Sequence, residues 1–372
     1  WGQTGNQDGL GDYAYLERYD FNRIEWWKPG QGDAVPTYSQ VSLSSSDLTW
    51  ETTTQTNIGL DATLFQNRLT FNIDYYFKRT RDMLMWVTLP AGSAAVSSIQ
   101  RNEGEMTNNG IEFTVSSKNL TGDFKWNTDF NISHNKNMLV SLDFKQVYYD
   151  ARVTDILSDF AVKNMPGRPL GGFWGYESEG VDPETGELMY MDKNDDGFIN
   201  ASDRTYIGDP NPDFTYGMTN TFSFKRLSLS VMLQGTYGND IFNVSRIESE
   251  GMYDAKNQSN RILERWRRPG MITTIPKAGY DMKISSYFVE DGSFLRIKDV
   301  TLSYDFSMNW MKKVGITRLQ PYATVTNLFT FTKYLGFDPE VNQWGNSGNV
   351  QGMDYGTYPQ TRSFIFGVNV DI

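Results

Sequence analysis

Cysteine is absent from this 372-residue chain, and histidine occurs once, at position 134. Without cysteine the chain can form neither a disulfide framework nor a thiol-based active site. A single histidine gives a Ser-His-Asp triad or a typical zinc site little support. Paired glutamates of the kind that a glycosidase uses, Glu177 with Glu179 and Glu248 with Glu250, lie in acidic stretches between predicted strands. The residue types therefore predict a protein that is not an enzyme.

A basic charge balance and a long apolar run are also missing. The formal net charge is −11, which argues against nucleic-acid binding because a phosphate-binding surface is basic. No apolar run approaches the roughly 18 residues of a transmembrane helix. This excludes helical spanning alone, since alternating strands are not detected by a hydropathy window. The chain begins at Trp1 without Met or a signal peptide, and we expect it to be a piece of a longer protein.

The chain is rich in aromatic residues, with 21 Tyr, 23 Phe and 10 Trp, and these residues alternate with polar ones. The clearest example is DFTYGMTNTFSFKRLSLSVMLQGTYG at 213–238, in which two alternating segments flank the short turn at Lys225 and Arg226. A period of two predicts β-strands with one apolar face, and a tight turn predicts an antiparallel hairpin. About ten residues are enough for a tilted strand to cross a bilayer.

Similar alternation recurs along the chain, with a change of phase near Lys298 and Asp299 that predicts a β-bulge. The further strands are predicted at 54–64, 68–78, 111–115, 124–132, 295–306, 319–329 and 364–372. Their connections are alternately short and very long, as in a barrel with short periplasmic turns and long outer loops. A soluble sandwich would more often use short or mid-length links at both ends.

This pattern predicts an all-β fold, an antiparallel transmembrane β-barrel to which residues 1–372 contribute about ten strands. The polar faces carry mostly small side chains, which fit a wide, wet or plugged lumen. We therefore favour an incomplete wall of a larger barrel over a self-contained ten-stranded barrel. The threading places the C-terminus on the periplasmic side, and residues 136–212 become a long extracellular loop.

Residues 192–203, DKNDDGFINASD, match the twelve-position calcium loop. Oxygen-bearing side chains stand at positions 1, 3, 5, 9 and 12, glycine at position 6 allows the sharp turn, and position 7 offers its carbonyl. Position 12 is Asp rather than the bidentate Glu, which weakens the site or forces a closer approach. The alternative is an Asn/Asp/Gly-rich turn without metal. The predicted ligands of a structural Ca²⁺ are Asp192, Asn194, Asp196, Phe198, Asn200 and Asp203.

Aromatic side chains in the long connections are candidates for ligand contact. They could stack on sugar rings, pack beneath a lid, or form local cores of the long loops. The candidates are Trp26, Trp27, Phe173, Trp174 and Tyr176.

Several longer stretches resemble one family. They are WGQTGNQ followed by DYAYL at the start, GDPNPDFTYGMTNTFSFKRLSLSVMLQGTYGNDIFN at 208–243, SYFVEDGSFLRIKDVTLSYDF at 286–306, NLFTFTKYLGFDPEV at 327–341 and YPQTRSFIFGVNVDI at 358–372. Together they are similar to the SusC/RagA-type TonB-dependent outer-membrane transporters. The likeness extends from residue 1 to residue 372.

The resemblance implies a 22-stranded barrel of which this chain is the C-terminal part. It also implies a plug and a TonB-contacting segment, neither of which is in this chain, and a SusD-like surface lipoprotein that caps the barrel. The chain ends in Ile372 where the family commonly ends in an aromatic residue, so its barrel-assembly signal is relaxed or trimmed.

We therefore expect an active importer of oligosaccharides or peptides in the outer membrane of a Gram-negative cell. Its partners would be the lipoprotein, TonB, outer-membrane lipid and the glycan or peptide substrate, with no nucleic acid. Two alternatives remain open. One is a structural or scaffold barrel in a larger outer-membrane complex, and the other is a passive porin.

Overall fold

The computed structural model describes residues 1–21, 26–27, 34–35, 38–90, 92, 94, 96–142, 148–152, 157, 159–306, 311, 315–342 and 350–372. Side chains at 26–27, 34–35, 88 and 148–152 lie outside that description. No helix among the described residues is both long and apolar enough to cross a membrane.

The described residues form 25 strands and very little helix. The first strands are β1 (Gly2–Asn6), β2 (Arg18–Phe21), β3 (Trp26–Trp27), β4 (Ala34–Val35), β5 (Tyr38–Ser42), β6 (Glu51–Leu64), β7 (Leu69–Arg81), β8 (Leu84–Thr88), β9 (Ser98–Asn102), β10 (Glu105–Thr121), β11 (Phe124–Ser141), β12 (Tyr148–Arg152) and β13 (Phe160–Asn164). The others are β14 (Phe173–Gly175), β15 (Ser178–Val181), β16 (Leu188–Tyr190), β17 (Thr205–Gly208), β18 (Phe214–Phe224), β19 (Leu227–Tyr237), β20 (Asp240–Asn243), β21 (Val289–Asp291), β22 (Phe294–Tyr304), β23 (Arg318–Thr332), β24 (Met353–Asp354) and β25 (Ser363–Asp371). The α-helix α1 covers Ser245–Glu250, and short 3₁₀ helices cover Ala201–Asp203, Asn260–Glu264 and Ser286–Phe288.

Ten strands form one continuous antiparallel sheet, which we call the wall. Its order is β1-β6-β7-β10-β11-β18-β19-β22-β23-β25, so each wall strand is bonded to the next wall strand along the chain. Short connections at 65–68, 122–123, 225–226 and 305–317 all lie at one end of the wall, and the long connections all lie at the other. The all-β class, the ten strands and the alternation of short and long connections are therefore confirmed.

One face of the wall carries continuous apolar rows. Leu60, Ile73, Phe113, Ile132 and Tyr216 are successive partners across five strands. Many side chains of this face are exposed, for example Ile58 at 68%, Phe364 at 64% and Phe366 at 79%. Neither hydrophobic cluster found in the described chain includes a wall residue. The apolar face is therefore not buried between stacked sheets, which excludes a sandwich and leaves a surface suited to lipid.

The opposite face of the wall is polar and is held by pairs across neighbouring strands. Thr53 and Thr80 hydroxyls lie 2.9 Å apart, and the Ser116 hydroxyl donates to Asp129 at 2.6 Å. The hydroxyls of Thr301 and Thr324 lie 2.7 Å apart. Cross-strand hydroxyl pairs of this kind stabilise a sheet without requiring an apolar core behind it, as expected for the inner face of a wide barrel.

The predicted bulge is present in β22. The register shifts between Ile297 and Asp299 on the side of β23, and between Met232 and Leu233 on the side of β19. Lys298 is the extra residue of the bulge. Before it, the apolar side chains are at Leu295 and Ile297, and after Asp299 they occupy the alternate positions of the strand. A bulge is a local two-against-one pairing, so it lets one strand keep its apolar residues on one face despite the change of phase.

One polar cluster interrupts the apolar face near the short-turn end. The Asn220 carboxamide oxygen accepts hydrogen bonds from the Trp126 indole at 2.9 Å and from the Thr128 hydroxyl at 2.7 Å. The Asn119 amide in turn donates to Thr128 at 2.8 Å. These groups satisfy one another, which is what a polar side chain facing hydrocarbon requires.

Candidate functional site

The buried core lies beyond the long-connection end of the wall. This loop core consists of Ala161, Val162, Phe173, Leu188, Phe242, Val244, Ile247, Tyr280, Met282, Ile284, Phe288, Val350 and Met353. Phe173 and Phe242 meet edge to face with ring centroids 5.7 Å apart, and β20 joins β21 and β24 in a small mixed sheet. Three long connections therefore pack into a single compact body.

The predicted calcium loop adopts a tight, internally bonded turn. Asp195 and Gly197 have positive φ, at 56° and 83°. The Asp192 carboxylate accepts the backbone N–H groups of Asp196 at 3.3 Å and Gly197 at 2.7 Å, and Asp196 accepts that of Phe198 at 2.8 Å. The oxygens at positions 1 and 5 therefore point into the loop, as a cation-binding turn requires.

Asp203 closes the loop. Its side chain is fully buried, and its two carboxylate oxygens accept the backbone N–H groups of Lys193 at 3.0 Å and Asn200 at 2.7 Å. The Asn200 carboxamide oxygen accepts the N–H of Ser202 at 2.9 Å, which completes a capping box. The hydrogen bond from the Asn200 N–H is the main cause that lowers the pKa of Asp203 below its ordinary value.

The loop has the residue types that Ca²⁺ prefers, because hard oxygens are its ligands. A carboxylate has about four acceptor sites, so the amide bonds on Asp192 and Asp196 leave lone pairs for a cation. Among the described residues, however, no group of three or more acidic, His or Cys side chains converges to hold a metal ion. Binding would require the carboxylates of Asp192, Asp196 and Asp203 to turn toward one point, and Ca²⁺ stays a prediction.

The aromatic candidates for ligand contact lie in three different environments. Phe173 has no exposed surface and belongs to the loop core. Trp174 is half-buried, with the Lys163 ammonium 3.5 Å from its ring centroid and Tyr206 against its edge. Tyr176 packs on Tyr190 with centroids 5.6 Å apart.

For Phe173 the structure thus favours the core-forming alternative, because a fully buried ring has no surface for a ligand. Trp174 and Tyr176 keep part of their surface accessible. The backbone of Trp26 and Trp27 forms β3 and pairs with β4, but their side chains lie outside the described residues. The five residues are not brought together into one site by the described contacts.

A buried ionic network that the sequence analysis did not identify lies next to the loop core. The Arg246 guanidinium donates to Glu250 at 3.0 Å and 3.1 Å and to Glu290 at 3.1 Å. Arg261 approaches the other Glu250 oxygen at 3.3 Å, and Arg246 stacks 4.6 Å over the Tyr287 ring. The network could have been found in part from the four-residue spacing of Arg246 and Glu250, which places both on one helix face.

A second buried ion pair connects the loops to the wall. Arg296 of β22 is 1% exposed and contacts Asp338 and Glu340 at 2.5 Å and the Thr330 hydroxyl at 2.9 Å. Asp338 also accepts the backbone N–H of Gln360 at 2.8 Å. The segment that follows β23 is therefore fixed to the polar face of the wall at its rim.

The predicted calcium loop follows a hairpin that is itself docked on a neighbouring connection. The Trp266 indole N–H donates to the carbonyl of Pro183 at 2.7 Å, and its ring covers Gly186, whose φ is 74°. A Cβ on Gly186 would lie 2.4 Å from that ring. The Lys277 ammonium pairs with Glu187 at 2.6 Å. These contacts join the connection before β18 to the connection after β19.

Comparisons with known proteins agree with this architecture. The family model described as "TonB dependent receptor-like, beta-barrel" matches residues 9–328. TonB-dependent receptor P3 of Formosa agariphila is 35% identical over 353 residues, which cover 89% of this chain and 35% of that protein. TonB-dependent receptor SusC of Bacteroides thetaiotaomicron is 30% identical over 386 residues, which cover 100% of this chain and 37% of that protein.

A solved structure of the RagAB peptide transporter matches 99% of this chain with a TM-score of 0.84 and 25% identity, and the match covers 39% of that structure's chain. The same transporter in an open-open state gives a TM-score of 0.81. The chain spans 35% to 38% of the length of the four curated relatives it matches. The four curated relatives are named as TonB-dependent receptors, and the solved structure is named as a peptide transporter.

Proposed function

Since this chain belongs to the TonB-dependent receptor β-barrel family and is of the SusC/RagA type, we propose that it forms part of the wall of an outer-membrane active importer. The observation that carries the proposal is the unbroken ten-stranded wall with an exposed apolar face. Such a face suits lipid, and the polar face behind it suits a wide lumen. The wall would be completed to 22 strands by the rest of the barrel.

The long connections would lie outside the cell, with the short turns and the C-terminus in the periplasm. The loop core supports this orientation, since barrels of this kind carry short periplasmic turns and longer extracellular loops. The cargo would be an oligosaccharide or a peptide, captured beneath a SusD-like lipoprotein. Energy would come through TonB, which would act on a plug domain.

Uptake by whole cells tests the proposal. Cells that express the full-length protein should accumulate labelled oligosaccharides or peptides, and removal of TonB should abolish that uptake. A passive porin would give uptake and ion conductance that do not depend on TonB. A scaffold would give neither, and would copurify with an assembly complex. Either of these results would refute active import.

We also propose that residues 192–203 bind a structural Ca²⁺. The side chains Asp192, Asn194, Asp196, Asn200 and Asp203 and the Phe198 carbonyl would supply oxygens, and the positive-φ residues already give the loop a tight turn. The cation would offset repulsion among carboxylates in an acidic connection. It would also hold the hairpin that Trp266 covers.

Calcium titration by calorimetry and limited proteolysis test this site. The double variant Asp192→Ala/Asp196→Ala should lose calcium binding and expose the 142–213 connection to protease, as a chelator should in the unaltered protein. Ser202→Ala is the matched control, because its side chain is not among the predicted ligands. Equal protease sensitivity with and without chelator would count against the site.

A further inference from the structure

The charged side chains on the apolar face of the wall are confined to its long-connection end. Alternation along β7 puts Arg79 and Arg81 on the face that carries Ile73, and alternation along β11 puts Lys136 there as well. The register places Glu105 of β10 opposite Arg81. In the ten wall strands, which the structure describes throughout, no other Lys, Arg, Asp or Glu with a cross-strand partner shares this face.

Arg79 lies where a lipid-facing band of ordinary height would end. It follows Leu69, the first residue of β7, by ten residues, which is roughly 34 Å along a strand. Because barrel strands tilt by about 35–45°, this length corresponds to about 25 Å along the barrel axis, the height of an apolar band. The side chains between them on this face are Phe71, Ile73, Tyr75 and Phe77. The arginines therefore lie at the level of the lipid headgroups.

Two guanidinium groups share one carboxylate at this level. Arg79 donates two hydrogen bonds to Glu105, at 2.6 Å and 2.8 Å, and the Arg81 guanidinium lies 3.6 Å from the same carboxylate. The side chains of Arg79 and Arg81 are 41% and 53% exposed. A guanidinium has about five N–H donors, so both arginines keep donors for a second anion. The three groups together carry one positive charge in excess.

Lys136 adds a third cation on the same face. It is exposed, and the register with a strand spacing of about 4.8 Å puts its Cα roughly 12 Å from that of Arg79. A depression beside Lys136 is also lined by Arg168, Asp209 and Asp213. With these groups included, four cations stand against three carboxylates, in a chain whose net charge is −11. The long-connection end of the apolar face is thus locally basic in an acidic protein.

A phosphate-bearing lipid matches both the charge and the position of these groups. The planar fork of an arginine binds phosphate through two parallel hydrogen bonds. Trp50, whose ring covers Gly5 of β1, and Phe77 are exposed near the same level, as in the aromatic girdle that borders lipid. The apolar rows continue directly below the arginines, so a lipid could bind with its phosphate above and its acyl chains along the wall. A free anion would use the charges alone.

We propose that Arg79, Arg81 and Lys136 bind the phosphate of an anionic lipid in the outer leaflet, with its acyl chains on the apolar face of the wall. The inference rests on the proposed outer-membrane location, with the long connections outside the cell. It adds to import a lipid-binding site on the exterior of the barrel, on the face opposite the polar lumen.

Native mass spectrometry of the full-length protein in detergent tests the site, with phosphorylated lipid A and its dephosphorylated form as probes. The phosphorylated lipid should bind more tightly. A basic residue near an anionic membrane surface contributes a factor of about five, so Arg81→Gln should weaken lipid A binding about fivefold and Arg79→Gln/Arg81→Gln about 25-fold. Arg81→Gln keeps the close pair of Arg79 and Glu105 and should fold even if the double variant does not. The matched control is Lys78→Gln, which removes a positive charge from the polar face of the same strand and should bind normally.

Three results would overturn the proposal: equal binding of the two lipids, lipid A affinity unchanged in the arginine variants that fold, or inorganic phosphate that binds as tightly as lipid A in calorimetry. Uptake measured with the same proteins separates this inference from the importer proposal. TonB-dependent uptake by a protein that binds both lipids equally would refute the lipid site and leave import standing. Lipid A binding that depends on the arginines, in a protein that imports nothing, would refute import and leave the lipid site standing.

Discussion

Replacing Arg296 should release the segment after β23 from the wall. The guanidinium is almost fully buried and joins a wall strand to Asp338 and Glu340. In Arg296→Met the volume is largely kept while the charge is lost, so Asp338 becomes a buried carboxylate without a cation. Glu340, whose side chain is 29% exposed, can turn into water instead.

The expected cost follows from what Asp338 retains. Breaking a buried ion pair by removing one partner typically costs about 3–5 kcal/mol. Asp338 keeps the backbone N–H bonds of Glu340 at 2.9 Å and Gln360 at 2.8 Å, so we expect a value near the lower end, about 3 kcal/mol. Since 1.4 kcal/mol is a factor of ten, local opening of this segment should become about 100-fold more frequent.

The effect should also depend on pH. Burial alone would raise the pKa of Asp338, but hydrogen bonds from Glu340, Gln360 and Arg296 outweigh burial and lower it. A lowered pKa gives stability that is present above the unfolded value, near 4, and is lost as the pH falls through the folded value. In Arg296→Met the pKa of Asp338 rises, so the loss should begin at a higher pH.

Hydrogen exchange of the amides at 333–342 measures the opening directly. The double variant Arg296→Met/Asp338→Asn should recover most of the protection, because it removes both charges. Arg318→Met is the control, since Arg318 and Asp305 form an exposed pair whose loss should be hard to detect. Exchange in Arg296→Met within about threefold of the unaltered protein, against the hundredfold expected, would refute this reasoning.

Two further substitutions test the docking of the loops and the face of the wall. Gly186→Ala should free its hairpin from Trp266, at a cost of at least about 2 kcal/mol, because the new methyl group contacts the ring and the backbone has positive φ. Proteolysis of the hairpin measures this loss. Gly180→Ala is the control for the effect of φ alone, because Gly180 has positive φ but open space around it. Phe130→Arg should lower barrel stability by about 2–4 kcal/mol if its face of the wall contacts lipid. Asn131→Arg, on the opposite face, should be tolerated. Equal stability of the two variants in urea titrations would contradict the assignment of the apolar face to lipid.

Much of the wall was predictable because its strands have one apolar face. The period-two signal located both strands around Lys225 and the bulge after Ile297. The strand ends were less predictable. β11 continues to Ser141, well beyond the last alternating residue, because backbone hydrogen bonds extend a ladder into polar segments whose side chains show no period.

The loop core and its polar network were not predictable in the same way. Its strands, such as β14 and β16, have three residues each, which is too short for any period to show. Phe173 looked like a ligand contact because its burial depends on Phe242, which is distant in sequence. The motif at 192–203 could be recognised because all of its residues are local in sequence.

The composition of the loop core constrains the order of biogenesis. Its members run from Ala161 to Met353 and come from three connections separated by wall hairpins. Contacts so distant in sequence form slowly, because the intervening chain must first be brought to its place. We therefore expect the wall hairpins to pair side by side before the loop core folds. An assembly intermediate that stalls at this stage would have a complete wall and a loop core that is still unfolded and sensitive to protease.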